Sequence, residues 1–194
     1  SLGLMYYEGQ GFPQDYKQAL KWFRLSAKQG DEYAQYNLGL MYYEGQGVPQ
    51  DNKEAAKWFR FSAEQGNAVA QNSLGLMYYE GQGVPQDFKE AVKWYQLSAD
   101  QGFMDGQSNL GIMYEKGQGV LQNYKEAVKW FRLSAEQGFE DAQLNLGIMY
   151  KKGTGVPQDY KQAKKWFRIS ADQGFAIAQY NLGIIYEKGQ GVSQ

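Results

Sequence analysis

The sequence predicts an all-α fold, an α-solenoid of antiparallel helix pairs in 36-residue repeats, and three observations lead to it. A Leu-Gly pair returns at one constant spacing without an insertion or deletion, which is typical of a repeat array. Each repeat contains two segments in which apolar residues follow helical spacing. A glycine-rich loop separates the two segments, so the chain is expected to reverse there. The pairs are Leu2/Gly3, Leu38/Gly39, Leu74/Gly75, Leu110/Gly111, Leu146/Gly147 and Leu182/Gly183.

The first helix of a complete repeat is predicted over Tyr33 to Glu44. Its buried stripe is expected to be Ala34, Leu38, Met41 and Tyr42. Spacings of three and four place these side chains on one helical face. Gly39 lies in mid-helix, where glycine costs about 1 kcal/mol relative to alanine, so we expect a neighbouring helix to approach closely. The loop 45–50, with two glycines and Pro49, then ends the helix.

The second helix is predicted from Asn52 to Gln65, and Gly66 ends it as a left-handed cap. Asp51 offers a side-chain oxygen to the free N–H groups of the first turn, and Glu54 stands three residues on, as in a capping box. A tryptophan in each second helix is expected to be the large side chain of the packing between helices. The tryptophans are Trp22, Trp58, Trp94, Trp130 and Trp166.

These units predict a single domain over residues 1–194, with a partial repeat at each end. The chain opens in the middle of a repeat and lacks an initiator Met, which is the pattern of a fragment of a longer array. Neither a membrane-spanning run nor a signal peptide is found, and the sequence does not encode a compartment. The repeats are 1–30 (partial), 31–66, 67–102, 103–138, 139–174 and 175–194 (partial).

The composition argues against an enzyme. The chain has no Cys and no His, which removes thiolate chemistry, the usual general base and the commonest metal ligand. No catalytic residue, cofactor or metal site is predicted. The net charge is −1, so the overall field favours neither nucleic acid nor an anionic membrane as a partner. The basic second helices are interpreted as solvated faces with intrahelical ion pairs, such as Arg60 with Glu64.

The repeat resembles the Sel-one-like repeat (SLR) family, relatives of the tetratricopeptide repeat. The residues that carry the resemblance in the first complete repeat are Ala34, Leu38, Gly39, Tyr42, Gly45, Gly47, Val48, Asp51, Lys53, Ala55, Trp58, Ser62, Ala63 and Gly66. The chain departs from the pattern at Gly106, Leu121, Asn123 and Lys164. The resemblance implies a right-handed superhelix with the first helices on its concave side. It also implies an adaptor that assembles protein complexes. Some secreted relatives were associated with penicillin binding, but they carry paired cysteines that this chain lacks.

If this geometry holds, the concave face consists of an aliphatic row, an amide row and an aromatic row that gives way to charged residues. Amides beside aliphatic side chains suit an extended peptide, because Asn can donate to and accept from its backbone. The candidate partner-binding residues are Tyr7, Tyr36, Asn37, Leu40, Tyr43, Glu44, Asn72, Ser73, Leu76, Tyr79, Glu80, Asn109, Ile112, Glu115, Asn145, Ile148, Lys151, Asn181 and Ile184.

The leading functional hypothesis is therefore a non-catalytic scaffold that binds a protein or peptide in this groove. Glu8, Glu44 and Glu80 make its N-terminal half acidic, so a basic or aromatic segment is the expected ligand. Two alternatives stay open at this point. The amide row could instead serve hydrogen bonds within its own helix, and the chain could be a structural element that stacks end to end through uncapped ends.

Overall fold

The computed structural model describes residues 1–190 and folds them into eleven α-helices without a strand. The contacts divide the chain into two compact units, Ser1–Ser98 (unit 1) and Ala99–Gln194 (unit 2). Within each unit, consecutive helices pack against each other, as the helix-pair repeat predicts. The organisation as one continuous domain stays a prediction. The helices are α1 (Leu2–Glu8), α2 (Tyr16–Lys28), α3 (Glu32–Glu44), α4 (Asn52–Glu64), α5 (Ala68–Glu80), α6 (Phe88–Asp100), α7 (Met104–Lys116), α8 (Tyr124–Glu136), α9 (Glu140–Lys152), α10 (Tyr160–Asp172) and α11 (Ala176–Glu187).

The second helices begin where their capping residue predicts. The Asp51 carboxylate accepts hydrogen bonds from the backbone N–H groups of Lys53 at 2.9 Å and Glu54 at 3.1 Å. This satisfies two of the N–H groups that have no partner within the helix. The second half of the predicted capping box is wrong, because the Glu54 carboxylate pairs instead with Lys57 Nζ at 3.1 Å. The cap therefore depends on Asp51 alone.

The loop between the two helices is fixed by hydrogen bonds back to the first helix. Gly45 ends α3 with a φ of 72°, and its N–H donates to the Met41 carbonyl. The backbone N–H of Asp51 donates to Tyr42 O at 2.9 Å, and Gln50 Nε2 donates to Tyr43 O at 2.8 Å. The same two bonds recur at the other complete loops, so each second helix starts from a fixed position relative to the first.

The predicted close approach at Gly39 is confirmed, but its partner is Phe59 and not the tryptophan. A Cβ added at Gly39 would lie 2.7 Å from Phe59 Cδ1. The prediction that tryptophans fill this contact is wrong, since Trp58 lies one position away around α4 and is only half-buried. Trp94, in contrast, is buried in the core cluster of the preceding repeat. The other pairs of glycine and ring are Gly3/Phe23, Gly75/Tyr95, Gly111/Phe131 and Gly147/Phe167.

A ladder of buried glutamines, not anticipated from the sequence, connects neighbouring repeats. Gln143 Nε2 donates to the carbonyl of Ala135 in the preceding second helix at 3.2 Å. Its Oε1 accepts from Gln173 Nε2 at 2.8 Å. The amide nitrogen and the amide oxygen of Gln143 therefore both have hydrogen-bond partners, as buried polar groups require. The corresponding donors to the preceding helix are Gln35, Gln71, Gln107 and Gln179.

The second helices also bind the next first helix through arginine. Arg60 Nη2 donates to the Tyr78 hydroxyl, and its guanidinium lies 5.7 Å from the centre of that ring. The predicted ion pair of Arg60 with Glu64 is therefore wrong; the ion pairs within residues 1–190 lie at i,i+3, as between Glu54 and Lys57. The guanidinium prefers the aromatic partner because a ring face and a hydroxyl can be bound together.

The four departures from the repeat pattern are each accommodated locally. Gly106 is buried within an uninterrupted α7. Leu121, in place of the loop proline, is 91% exposed, so the exchange disturbs no packing. Asn123 caps α8 by accepting from the first-turn N–H groups, as Asp does elsewhere. Lys164 places Nζ 5.6 Å from the centre of the Tyr186 ring.

Candidate partner-binding face

In unit 1, four of the predicted residues come together in a cleft between α3 and α5. This unit 1 cleft has a volume of about 70 Å³ and is mainly apolar. Phe59, Met77 and Gln82 complete its wall and were not predicted, because their contribution depends on how neighbouring helices pack. The four predicted residues that line the cleft are Leu40, Tyr43, Ser73 and Leu76.

Three of the side chains that line the unit 1 cleft are partly exposed. Leu76 is 36% exposed, and Leu40 and Tyr43 are half-buried. The Phe59 ring reaches the cleft across Gly39, where the missing Cβ lets it pass. A cleft whose apolar walls are formed by neighbouring helices can accept an aliphatic or aromatic side chain of a partner.

Three members of the amide row (Asn37, Ser73, Asn109, Asn145 and Asn181) donate hydrogen bonds within their own helices. Asn37 Nδ2 donates to Tyr33 O at 2.8 Å, and Asn181 Nδ2 donates to Ile177 O at 2.9 Å. Ser73 Oγ donates in the same way to Val69 O at 3.0 Å. The alternative interpretation of intrahelical bonding therefore describes these donors. The carbonyl oxygen Oδ1 of a half-buried Asn37 is still oriented by this bond, so the side chain keeps one acceptor.

The predicted acidic residues lie at the C-terminal ends of the first helices. Glu44 and Glu80 are exposed. Tyr7 Oη donates to Glu44 Oε2 at 3.4 Å, and burial together with the Glu44 charge raises the pKa of Tyr7 to about 12. Tyr7 also packs edge-on against Tyr16, with 5.4 Å between ring centres. Tyr7 therefore acts in the packing of α1 on α2 as much as it faces outward.

In unit 2, the equivalent space between α7 and α9 is larger and charged. This unit 2 cavity has a volume of about 460 Å³. Of the predicted residues, Glu115 and Ile148 line it, whereas Lys151 donates to Asn181 Oδ1 at 2.9 Å. Lys116, Lys152 and Thr154 also line it. The sequence contains a signal for this difference, since Thr154 replaces the loop glutamine found at Gln10, Gln46, Gln82, Gln118 and Gln190.

The remaining predicted residues do not line the unit 1 cleft or the unit 2 cavity. Ile112, Asn145 and Ile184 are half-buried on their own helices, as are Asn72, Tyr79 and Asn109. Tyr36 packs against the Phe59 ring, with 5.6 Å between the ring centres. Each unit therefore has a recess on this face, and half-buried side chains lie outside that recess.

Two further properties limit the chemistry. Within residues 1–190, no group of three or more acidic, histidine or cysteine side chains is arranged to hold a metal ion. In the same part of the chain, no helix combines the length and the apolar character that a bilayer crossing needs.

The helix pairs, the fixed loops and the contacts from one repeat to the next define a helical-repeat protein of the α-solenoid class. This chain belongs to the Sel1 repeat family. The family model matches residues 1–31, 32–67, 68–103, 105–139, 140–175 and 176–194. Members of this family are generally non-enzymatic scaffolds, and folds of this kind typically mediate protein–protein interactions.

Solved structures of other Sel1 repeat proteins have the same fold. The Escherichia coli protein c5321, described as a protective antigen of uropathogenic strains, is 48% identical with a TM-score of 0.92. The match covers 97% of this chain, which spans 40% of that chain. A Sel1 repeat protein from Oxalobacter formigenes is 36% identical with a TM-score of 0.90, covering 100% of this chain and 77% of that chain.

A more distant likeness is the cysteine-rich protein B of Helicobacter pylori, at 26% identity and a TM-score of 0.52. That match covers 66% of this chain and 92% of the other. No protein in the curated set matches the chain.

Proposed function

We propose that this protein is a non-catalytic scaffold that binds a protein or peptide along the exposed face of its first helices. The observation that carries the proposal is the unit 1 cleft, where Leu40, Tyr43 and Leu76 leave apolar surface open between two helices. A side chain of a partner that enters this cleft removes that surface from water, at about 25 cal/mol for each Å².

The surroundings of the cleft favour a segment with basic or aromatic residues. Glu44 and Glu80 are exposed at the ends of α3 and α5, the two helices that form the cleft. Lys or Arg on a partner can approach either carboxylate, and Tyr43 offers a ring on which a guanidinium can stack. Asn37 Oδ1 can accept a backbone N–H of an extended chain, because its own Nδ2 is already bonded within the helix.

The test is a selection of peptides by display on the full chain, followed by calorimetry with the selected peptides. Leu76→Gln should weaken binding by about tenfold or more, since a buried aliphatic contact contributes about 1.5–3 kcal/mol. Leu25→Gln is the matched control, because Leu25 is 47% exposed on α2 and does not line the cleft. Equal loss in both variants, or no loss in either, would contradict binding at the cleft.

The electrostatic part has its own test. Glu44→Lys together with Glu80→Lys should weaken a basic peptide at low salt and have a smaller effect at high salt, because exposed charges are screened. An affinity that the double variant leaves unchanged at low salt would exclude a basic ligand, while the apolar cleft would still be tested by Leu76→Gln.

A second candidate function is self-association through the face of α11. Ile177, Tyr180 and Tyr186 are exposed, and no atom lies within 4 Å of the Cβ position at Gly183. In the other repeats an aromatic ring fills that space. Light scattering against protein concentration tests this: a mass that rises without ligand and stays constant in Ile177→Asp supports stacking, and a constant mass for the unchanged chain excludes it.

A further inference from the structure

The unit 2 cavity differs from the unit 1 cleft although the loops beside the two make the same backbone contacts. Thr154 N–H donates to Met149 O at 3.0 Å, and Gln82 N–H donates to Met77 O at 3.0 Å. In both units the next residue is a glycine whose added Cβ would overlap a carbonyl oxygen at the start of the preceding second helix. The loops are therefore pinned in one position, and the difference between the two recesses comes from side chains.

The side chain at the loop position decides how much space is left. Gln46 and Gln118, which occupy this position in two other repeats, have their amide oxygens buried, so the glutamine side chain points inward. Threonine has a side chain that is two heavy atoms shorter. The recess measures about 70 Å³ beside Gln82 and about 460 Å³ beside Thr154. A space of the larger size admits a whole amino-acid side chain.

The lining of the cavity matches an acidic side chain with an aliphatic stem. Ile148 and a buried Met149 form an apolar wall, and the Thr154 hydroxyl can donate a hydrogen bond. Lys116 and Lys152 line the cavity together with a single acidic residue, Glu115, so its lining has a net positive charge. The ion pairs Glu54–Lys57, Glu90–Lys93 and Glu126–Lys129 lie on second helices, and none of them involves Lys152. The Lys152 ammonium is thus available to a carboxylate from outside.

The wall of the cavity is ordered by the protein itself. Gln122 Nε2 donates to the Glu115 carbonyl at 2.8 Å, which fixes the segment that leads into α8. Tyr124, the first residue of α8, lies directly beneath the loop glycine Gly155 and lines the same cavity. A recess whose walls are already fixed loses little conformational entropy when a ligand enters.

We propose that the unit 2 cavity is a pocket for a glutamate side chain of the bound peptide, opened by Thr154 and recognised through Lys152. The inference rests on the proposed function, since it assigns one residue of the peptide to one place on the first-helix face. It also gives the two units opposite preferences. The unit 1 cleft takes an apolar side chain beside acidic residues, and the unit 2 cavity takes an acidic one.

The full chain is labelled with ¹³C at its Ile and Met methyl groups and followed by NMR. It is titrated with N-acetyl-glutamate methylamide, a glutamate whose backbone amine and carboxyl groups are both blocked. The Ile148 and Met149 methyl signals should shift in a saturable manner, and the glutamine analogue should bind about tenfold more weakly, because its neutral amide cannot form a charged hydrogen bond. Thr154→Gln should abolish the response while other methyl signals stay in place. Gln is the residue at the equivalent loop position elsewhere, so this variant is expected to fold.

Two control variants separate the possible outcomes. Gln82→Thr, in unit 1, should leave the Ile148 response unchanged, and Lys152→Gln should weaken it and reduce its dependence on salt. Equal responses to the glutamate and glutamine probes, or an unchanged response in Thr154→Gln, would overturn the pocket. If display peptides bind the chain and lose no affinity in Thr154→Gln, the pocket fails and the scaffold function stands. If no peptide binds while the glutamate probe still enters, the scaffold function fails and the pocket stands.

Discussion

The contact between Gly39 and Phe59 gives the most direct test of how the helices pack. Alanine at position 39 would place Cβ 2.7 Å from Cδ1 and 2.8 Å from Cε1 of the Phe59 ring. Separations below 3.0 Å are not tolerated by real Cβ atoms, so the ring or the helix must move. Phe59 is 2% exposed and belongs to the core cluster of unit 1, and a side chain in a close-packed core has little room to move.

Two opposing effects set the size of the change. Alanine is favoured over glycine within a helix by about 1 kcal/mol. Overpacking of a core costs about 1–3 kcal/mol, and two close contacts with one ring place Gly39→Ala near the upper end of that range. We expect a net loss of about 2 kcal/mol. Gly183→Ala is the matched control, because nothing lies within 4 Å of its Cβ position, and alanine should therefore stabilise α11 by up to about 1 kcal/mol.

The assays follow from the position of each residue. For Gly39→Ala, urea unfolding followed by circular dichroism measures the loss of helix in the full chain. The dependence of the unfolding free energy on urea concentration is compared between variants, because repeat arrays need not unfold in two states. Amide hydrogen exchange in α11 reports on Gly183→Ala. Adding Phe59→Leu to Gly39→Ala should recover part of the lost stability, because leucine removes the ring that the new Cβ would meet. A Gly39→Ala protein as stable as the unchanged chain would refute the close approach.

Three other substitutions test the loops, the charges and the glutamine ladder. Gly83→Ala should destabilise by about 3 kcal/mol in urea unfolding, since φ is +69° and the new Cβ would overlap the Asn52 carbonyl, whereas Gly66→Ala, at φ +104° with open space around it, should cost only about 1–2 kcal/mol. Burial and nearby carboxylates raise the pKa of Asp105, so its contribution to stability is full below its unfolded pKa and is lost as the pH rises through its folded pKa. Asp105→Asn should therefore raise the urea midpoint of unfolding at pH 7 but not below about pH 4. An equal rise at both pH values would contradict this. Gln143→Met should lower stability by about 1–3 kcal/mol, because the buried carbonyl of Ala135 loses its donor and Gln173 loses an acceptor, and an unchanged midpoint would show that water replaces these bonds.

The parts of the fold that depend on neighbouring residues in the chain could be predicted. The start of α4 at Asp51 and the end of α3 at Gly45 are set within a few residues, by a side-chain oxygen and by a left-handed backbone conformation. The same local signals recur in every repeat, so the helix pairs and their loops were correctly predicted. The reciprocal bond of Glu54 was not, because an exposed carboxylate can equally pair with the lysine one turn on.

The candidate site could be predicted only in outline. Leu40 and Leu76, which their spacing puts opposite the buried stripe, line the unit 1 cleft. The sequence left two alternatives open for the Asn37 donor, since the choice between a peptide and the carbonyl of Tyr33 depends on the side-chain rotamer and not on the helical position. Lys151 was expected to face a partner and instead bonds Asn181 of the next repeat.

The sequence by itself determined the repeat, the caps and the family, because each is a property of residues close together along the chain. Only the tertiary structure decided that Phe59 and not Trp58 meets Gly39, since that depends on the rotation of one helix about its axis relative to another. It alone decided that Thr154, which stands in place of a loop glutamine, lines a cavity of about 460 Å³. A sequence shows that threonine is shorter than glutamine, but the volume left free beside it depends on the residues of neighbouring helices that surround it.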